Sequence, residues 1–126
     1  MKAIRIFAAS LIVLLLCQCG SGKKASGNVY KRNAEVSYYA DKFNGNKTAN
    51  GEKFSNSKLT AAHRTLAFGT RLKVTNLAND KSVVVTVNDR GPQKQSRELD
   101  LTKRAFMEIT DNKNHGTLRV TIEIIK

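Results

Sequence analysis

The sequence predicts an all-β domain that closes into a small barrel, with one short helix near its C-terminal end. Short segments of alternating apolar and polar residues recur along residues 35–124, and this period of two is that of a strand. Turn sequences separate the segments, for example Asn-Gly at 44–45 and Asn-Gly at 50–51. A closed barrel is favoured over an open sheet because closure leaves no strand edge exposed.

Four segments carry the strand signal. Residues 35–39 alternate imperfectly, whereas residues 71–75 alternate cleanly and direct a leucine and a valine inward. Residues 81–88 contain a valine run, which predicts a strand that is buried on both faces over residues 83–85. The last segment, residues 118–124, again places every second residue inward.

One stretch has helical spacing. Leu101, Ala105 and Ile109 recur every four residues, as side chains on one face of a helix do. Thr102 and Asp100 are both able to cap the first turn through a side-chain oxygen. We therefore predict one short helix that follows most of the strands.

The N-terminus has the composition of a secretory signal. Lys2 and Arg5 precede an apolar stretch, residues 6–16, in which Ser10 is the polar exception. This stretch is about half the roughly 20 residues that a membrane-spanning helix needs. It therefore predicts a cleaved signal over residues 1–18 and export from the cytoplasm.

Both cysteines, Cys17 and Cys19, lie at the end of this apolar stretch. Their position resembles the bacterial lipobox, whose cysteine is acylated and becomes the new N-terminus. Cys19 is the favoured site because Leu16 stands three residues before it, and Cys17 is the alternative. Several acyl chains on one cysteine would hold the protein on a membrane, with residues 19–33 as a polar tether.

Residues 34–126 are predicted to form one barrel domain with a single core. They contain no cysteine, which excludes a disulfide framework and a Cys-ligated metal, and we expect neither a metal nor a cofactor. The chain carries 22 basic and 10 acidic side chains, a net charge of +12, which predicts affinity for polyanions. Nucleic acid is disfavoured as a partner, because an exported chain with no basic helix and no aromatic stacking platform lacks the features of that class.

Three segments bring acid–base side chains into this domain. Asp89 follows the valine strand within Asn-Asp-Arg-Gly-Pro, Glu52 ends Thr-Ala-Asn-Gly-Glu, and His63 ends Thr-Ala-Ala-His. Taken alone, each has an ordinary structural explanation, namely turn chemistry, a solvated charge and a hydrogen-bonded buried imidazole. Together they supply two carboxylates and an imidazole, which are the groups that general acid–base catalysis uses.

These segments, taken in order, resemble the rare lipoprotein A family, bacterial lipoproteins that act as septal lytic transglycosylases on peptidoglycan. The resemblance covers about residues 36–125, and it implies a six-stranded double-psi β-barrel with one or two short helices. The motifs that carry it are Ser-Tyr-Tyr at 37–39, Thr-Ala-Asn-Gly-Glu at 48–52, Leu-Thr-Ala-Ala-His-Arg-Thr-Leu at 59–66, Phe-Gly-Thr at 68–70, Val-Thr-Asn-Leu at 74–77, Val-Thr-Val-Asn-Asp-Arg-Gly-Pro at 85–92 and Leu-Asp-Leu-Thr at 99–102.

The resemblance implies a cleft lined by the catalytic residues Glu52, His63 and Asp89. Cleavage of a β-1,4 glycosidic bond needs a proton for the leaving oxygen and negative charge beside an oxocarbenium-like transition state. Asp89 is the expected acid and then base, and Glu52 is the alternative proton donor or the charge stabiliser. His63 is expected to orient a carboxylate or the sugar, and the roles within this trio are interchangeable at this stage.

Three more residues are expected to support substrate binding. Asp100 matches an aspartate that related expansin and endoglucanase barrels place in the same groove, and Arg90 and Tyr39 lie within matched motifs. The implied substrate is peptidoglycan glycan strands poor in stem peptides, cleaved to leave 1,6-anhydro ends, and the implied location is the periplasmic face of the outer membrane. The alternative is a non-catalytic, expansin-like wall-binding module, although such a binder could lose Glu52 or His63 and this chain keeps both.

Replacement of Cys19 by alanine should release the protein from the membrane fraction, because the acyl chains would then have no attachment site. Cell fractionation followed by immunoblotting measures the release. Cys17→Ala is the matched control and should leave the protein membrane-bound. Release by Cys17→Ala, with Cys19→Ala still bound, would move the lipidation site to Cys17.

Overall fold

The computed structural model describes residues 27–125, which form a closed barrel of six strands and so confirm the predicted architecture. One α-helix and one 3-10 turn accompany the strands in this part of the chain. The elements are β1 (Asn28–Tyr38), the 3-10 turn (Asp41–Phe43), β2 (Thr60–Ala62), β3 (Arg71–Asn76), β4 (Ser82–Asp89), β5 (Arg97–Leu101), α1 (Lys103–Ile109) and β6 (Leu118–Ile125).

The strand order around the barrel is β1-β5-β2-β4-β3-β6, and β6 returns to pair with β1. β1 runs parallel to β5, and β2 runs parallel to β4, whereas the other neighbouring pairs of this barrel are antiparallel. β2 has three residues and lies between β4 and β5. The short strand β2 therefore pairs with the C-terminal end of β4 on one side and with that of β5 on the other.

The core consists of the apolar side chains that alternate along the strands. β3 buries Leu72 and Val74, as its alternation predicts, and β4 buries every second valine. Val84 is only partly buried because its side chain lies on the other face of β4 from Val83 and Val85, so the expectation of burial on both faces is wrong. Phe106 and Ile109 of α1 add fully buried side chains to the same core.

α1 begins after Thr102, which is one of the two predicted caps. The Thr102 hydroxyl accepts a hydrogen bond from the backbone N–H of Ala105 at 3.4 Å. Asp100, the other predicted cap, lies within β5 instead, and so does Leu101. The helix is therefore slightly shorter than the four-residue spacing suggests, because its first apolar position belongs to a strand.

β1 is longer than the sequence suggests. It begins at Asn28, inside the segment 19–33 assigned to a tether, and it pairs there with β6, for example Asn28 with Ile124. Side chains of this first part are exposed, so they carry no apolar alternation, and the strand signal is absent although the backbone pairs. The predicted signal peptide and both cysteines lie outside the described residues. Within residues 27–125, no helix has the length and apolarity needed to cross a membrane.

Asn76, at the end of β3, is a buried polar side chain that joins the sheet to α1. Its Nδ2 donates to the carbonyl oxygen of Ile109 at 2.7 Å, and its Oδ1 accepts from the backbone N–H of Ala78 at 3.0 Å. The first bond satisfies a carbonyl at the helix C-terminus, which has no partner within the helix. Asn76 is 2% exposed, and the Ile109 carbonyl oxygen also accepts from Asn79 Nδ2 at 3.0 Å.

Replacement of Asn76 by alanine should lower the free energy of unfolding by about 1–3 kcal/mol, because it removes two hydrogen bonds that this buried side chain makes. Urea titration measures the change. Asn46→Ala is the matched control: its side chain is exposed, makes no hydrogen bond among the described residues, and its loss should cost less than about 0.5 kcal/mol. Equal losses in the two variants would contradict this account of Asn76.

Candidate active site

A cleft of about 470 Å³ opens where β1, β4 and β5 approach one another. Its wall carries two carboxylates, Asp89 and Asp100, together with Tyr39 and Arg90. The sequence assigned all four residues to the site, and the structure brings them together. The loop between β4 and β5 forms much of the remaining wall.

β2 sets the positions of the two carboxylates. Ala62 is the register partner of Asp89 on β4 and of Asp100 on β5. Register partners carry their side chains on the same face of a sheet, so both carboxylates project to one side of β2. Neighbouring strands lie about 4.8 Å apart, which puts the two backbones within about 10 Å of each other, and the small Ala62 side chain takes little of the space between them.

Asp89 is held by three donors. Its Oδ2 accepts from the Tyr39 hydroxyl at 2.6 Å. Its Oδ1 accepts from the backbone N–H groups of Ala49 at 2.8 Å and Arg90 at 2.9 Å. These bonds fix the carboxylate in place and use most of its acceptor positions.

Tyr39 is itself fixed by aromatic packing. Its ring centroid lies 4.2 Å from that of Phe54 and 6.1 Å from that of Phe43, the second in an edge-to-face arrangement. Burial raises the pKa of Tyr39 far above its usual value, and the hydrogen bond to Asp89 and the charges of Asp89 and Asp100 raise that pKa further. The hydroxyl therefore stays protonated and serves as a permanent donor to Asp89.

Asp100 has fewer partners than Asp89. Its Oδ1 accepts from the Ser37 hydroxyl at 2.8 Å, and Ser37 in turn accepts from Arg97 Nη1 at 3.2 Å. Its Oδ2 has no donor within residues 27–125. Gly91 lies beside this oxygen with φ 131°, a conformation that favours glycine, and a Cβ added there would lie 3.9 Å from Oδ2.

Arg90 contacts Asp89 through its backbone and not through its guanidinium. Its Nη1 donates to the carbonyl oxygens of His63 at 3.1 Å and Leu66 at 2.6 Å. The guanidinium carbon lies 4.0 Å from the centroid of the Phe68 ring, a cation–π contact. Arg90 therefore ties the end of β4 to the turn that follows β2.

The ring of His63 does not line the cleft, in contrast to what the resemblance implies. It is 3% exposed, and its Nδ1 accepts from the backbone N–H groups of Thr65 and Leu66 at 3.0 Å each. The proton is thereby assigned to Nε2, which donates to Glu98 Oε2 at 2.8 Å. The backbone N–H of His63 donates to the carbonyl oxygen of Asp89 at 3.1 Å, so this residue shapes the turn behind the carboxylate.

Sequence reasoning missed Glu98, which lies buried in β5. Besides His63, it accepts a hydrogen bond from Lys31 Nζ at 3.1 Å. Burial by itself would raise the pKa of the Glu98 carboxyl, but the hydrogen bonds and charges of His63 and Lys31 outweigh burial and lower it. No sequence signal marked this residue, because a glutamate in a short strand ordinarily faces solvent.

Arg64 was also missed, and it fixes the loop between β4 and β5. Its Nη1 donates to the carbonyl oxygens of Pro92 and Arg97 at 2.9 Å each. Its Nη2 lies 3.8 Å from Glu98 Oε1. Arg64 therefore connects the buried Glu98 to the loop that lines the cleft.

Glu52 is exposed and lies outside the cleft wall. Its Oε1 accepts from Asn88 Nδ2 at 2.9 Å, so it supports the residue that precedes Asp89. The register of β2 against β4 skips Asn88, an irregularity of the kind that often accompanies active sites. Among the described residues, no group of three or more His, Cys, Asp or Glu side chains is placed to hold a metal ion.

The sequence matches the family described as "Lytic transglycolase" over residues 31–122. It is 49% identical, over 78% of this chain, to the "Probable endolytic peptidoglycan transglycosylase RlpA" of Treponema pallidum, of which the match covers 30%. It is 44% identical, over 84% of this chain, to the "Endolytic peptidoglycan transglycosylase RlpA" of Rickettsia felis, of which the match covers 51%. The chain thus spans about half the length of these relatives or less. The matches confirm the resemblance to the rare lipoprotein A family.

Solved structures share the fold at low sequence identity. The Streptomyces papain inhibitor aligns over 80% of this chain and all of its own, with a TM-score of 0.63 and 18% identity. The expansin of Clavibacter michiganensis aligns over 75% of this chain and 50% of its own, with a TM-score of 0.59 and 22% identity. Such likeness concerns the fold alone, and with the family match it confirms the double-psi β-barrel.

Replacement of Glu98 by glutamine should make the stability of the fold less dependent on pH in the acidic range. The pKa of Glu98 is lower in the folded chain than in the unfolded chain. Its charge therefore stabilises the fold above the unfolded pKa, and this contribution is lost as the pH falls through the folded pKa. At neutral pH the variant should lose about 1.5–3 kcal/mol, as expected for hydrogen bonds to a charged group.

Urea titrations near neutral pH and at about pH 3 measure both effects. Glu108→Gln is the matched control, because Glu108 forms an exposed pair with Arg104 at 3.4 Å, and its loss should cost at most about 0.5 kcal/mol. A Glu98→Gln variant with the same acid sensitivity as the unmodified protein would contradict the assignment.

Proposed function

The chain belongs to the lytic transglycolase family of double-psi β-barrels, and from that membership we propose that it is an endolytic peptidoglycan lytic transglycosylase. It cleaves the β-1,4 bond between N-acetylmuramic acid and N-acetylglucosamine and leaves 1,6-anhydro-N-acetylmuramic acid ends. Relatives named as endolytic peptidoglycan transglycosylases support this activity. The observation that carries the proposal is the presence of two carboxylates with unlike partners, Asp89 and Asp100, in one cleft.

The reaction needs one carboxyl group that transfers a proton and one that stays charged. The acid protonates the leaving O4 of N-acetylglucosamine while the bond from that oxygen to C1 of N-acetylmuramic acid breaks. The same group, now a base, takes the proton of the C6 hydroxyl as O6 attacks C1. The acid is thereby restored, and the anhydro ring closes without water.

Hydrogen bonding favours Asp100 for the proton transfer, a different division of roles from the one that the sequence suggested. Asp89 accepts three hydrogen bonds and is fixed by Tyr39, which suits a stationary negative charge beside the oxocarbenium-like sugar. Asp100 accepts one, from Ser37, and its Oδ2 has no donor among the described residues. We therefore assign the acid and base role to Asp100 and the charge-stabilising role to Asp89.

Glu52 and His63 act in this proposal as positioning residues. The His63 side chain donates to Glu98, which approaches Arg64, and Arg64 binds the cleft loop. Glu52 holds the side chain of Asn88 next to Asp89. Neither side chain lines the cleft, so each acts on the carboxylate through its neighbours. Their loss should lower activity less than the loss of Asp89 or Asp100.

The proposed site of action is outside the cytoplasm, where peptidoglycan lies. The N-terminal signal and Cys19 support a lipid anchor, and by family resemblance we place it on the periplasmic face of the outer membrane. Without residues 1–18, which include Lys2 and Arg5, the side chains carry 20 basic and 10 acidic groups, and this net charge of +10 favours contact with an anionic wall. Glycan strands poor in stem peptides are the proposed substrate, as the resemblance to the rare lipoprotein A family implies.

Asp100→Asn and Asp89→Asn should each lower the release of anhydro ends by about 10²–10⁴-fold, because each removes one part of the proton transfer or charge stabilisation. Mass spectrometry of peptide-free glycan strands after digestion measures these ends. Asp111→Asn, which removes an exposed carboxylate paired with Lys81, is the matched control and should keep full activity.

A saccharide with an aryl leaving group separates the two roles, because a good leaving group needs no protonation. Asp100→Asn should lose much less activity on it than on the natural glycan, whereas Asp89→Asn should lose as much on both. The reverse pattern would return the acid role to Asp89. If the unmodified protein binds glycan strands and releases no anhydro ends, the non-catalytic, expansin-like wall-binding module becomes the better assignment.

A further inference from the structure

The cleft carries a pair of cations, Lys94 and Arg97, in addition to its carboxylates. The two residues stand at the ends of the turn before β5, which is closed by a hydrogen bond from the Arg97 N–H to the Lys94 carbonyl oxygen at 3.1 Å. None of the ion pairs within residues 27–125 joins either cation to Asp89 or Asp100. Positive and negative groups therefore line one cleft without neutralising each other by direct pairing.

Arg97 has donor capacity that the protein leaves unused. Its Nη1 donates to Ser37, but its Nε is buried and has no hydrogen-bond partner among the described residues. A buried donor without an acceptor is uncommon in folded proteins and calls for a partner from solvent or a ligand. The Lys94 side chain is exposed and makes no hydrogen bond or ion pair in this part of the chain.

The third cation of the cleft wall has a different role. The Arg90 guanidinium donates to two backbone carbonyl groups and lies over the Phe68 ring, so it is committed to the fold. The loop that bears Lys94 and Arg97 is fixed in turn by Arg64, which donates to the carbonyl oxygens of Pro92 and Arg97. The backbone that carries the two cations is therefore fixed before any ligand arrives, and so is the Arg97 side chain through Ser37, which reduces the entropic cost of binding.

We propose that Lys94 and Arg97 form a carboxylate-binding subsite that takes the lactyl carboxylate of N-acetylmuramic acid. This inference rests on the proposed function and names the group of the substrate that the enzyme recognises. The lactyl group is attached to C3 of the sugar whose C1 reacts, so its carboxylate lies within one sugar ring of the bond that Asp89 and Asp100 would attack. Arginine and lysine are suited to it as charged hydrogen-bond donors.

This placement also explains a preference for strands without stem peptides. A stem peptide converts the lactyl carboxylate into an amide, which removes the charge next to the reacting sugar. The carboxylates of the peptide itself lie farther from C1. A peptide-free strand therefore offers its anion close to the scissile bond, where the two cations line the same cleft.

Equilibrium binding of the unmodified protein and its variants to three glycans tests the proposal. The glycans are peptide-free strands, the same strands with the lactyl carboxylates converted to neutral amides, and strands with intact stem peptides. The unmodified protein should bind the peptide-free strands roughly ten-fold more tightly than the amidated strands, the ratio expected for a charged hydrogen bond. It should bind strands with stem peptides less tightly than the peptide-free strands.

Arg97→Gln and Lys94→Ala should lower the affinity for the peptide-free strands towards that for the amidated strands. Arg97→Gln should cost about ten-fold, and Lys94→Ala, at an exposed position, about two- to five-fold. Neither variant should change the affinity for the amidated strands. Lys58→Ala removes an exposed cation outside the cleft, and as the matched control it should leave the ratio of the two affinities unchanged.

Three results would overturn the proposal. Equal affinity of the unmodified protein for the peptide-free and amidated strands would show that the lactyl carboxylate is not recognised. Tighter binding of strands with stem peptides would assign the cations to peptide carboxylates. A loss of kcat alone in Arg97→Gln, with Lys94→Ala unchanged, would show that Arg97 acts on Asp100 through Ser37. Failure of the proposed activity is a separate outcome, because a non-catalytic binder would keep the affinity ratios and release no anhydro ends.

Discussion

The candidate site depends on the pairing of one three-residue strand with two longer neighbours. Ala62 of β2 is in register with Asp89 of β4 on one side and with Asp100 of β5 on the other. A slip of one residue in either pairing would turn a carboxylate to the opposite face of the sheet. The backbone hydrogen bonds of the barrel, and not the conformation of a loop, therefore set the distance between the two acids. This is a rigid arrangement, as proton transfer at a defined oxygen requires.

Behind this pair, buried polar residues hold the cleft in shape. His63 donates to Glu98, and Glu98 approaches Arg64, which binds the carbonyl groups of the cleft loop. Burying such charges costs solvation free energy, so their net contribution to stability is small unless each is fully paired. Their main effect is to fix positions. The residues that stabilise the turn after β2 also fix the loop that carries Lys94 and Arg97.

The sequence predicts what is local and misses what depends on distant partners. β3 and β6 alternate over six and eight residues and β4 contains a valine run, so pattern and composition alone identified these three strands. β2 is too short to show a period. In β5 the buried Glu98 interrupts the alternation of apolar residues. Its burial depends on a hydrogen bond from His63, which lies far away in the chain. The motifs identified the two aspartates and Tyr39, whereas no sequence signal marked Arg97, because the missing partner of its Nε is a property of the folded chain.

A shared barrel does not decide what such a protein binds, since a papain inhibitor and an expansin have the same fold. Charge acts here on two scales. The excess of basic side chains attracts any anionic polymer of the wall, and salt screens that attraction beyond about 10 Å. Arg97, in the cleft wall, acts at contact distance and is partly shielded from solvent, so its charge is screened less than that of an exposed cation. Long-range charge would therefore bring the protein to the wall, while the position of a single carboxylate relative to the glycosidic bond would decide which strand enters the cleft.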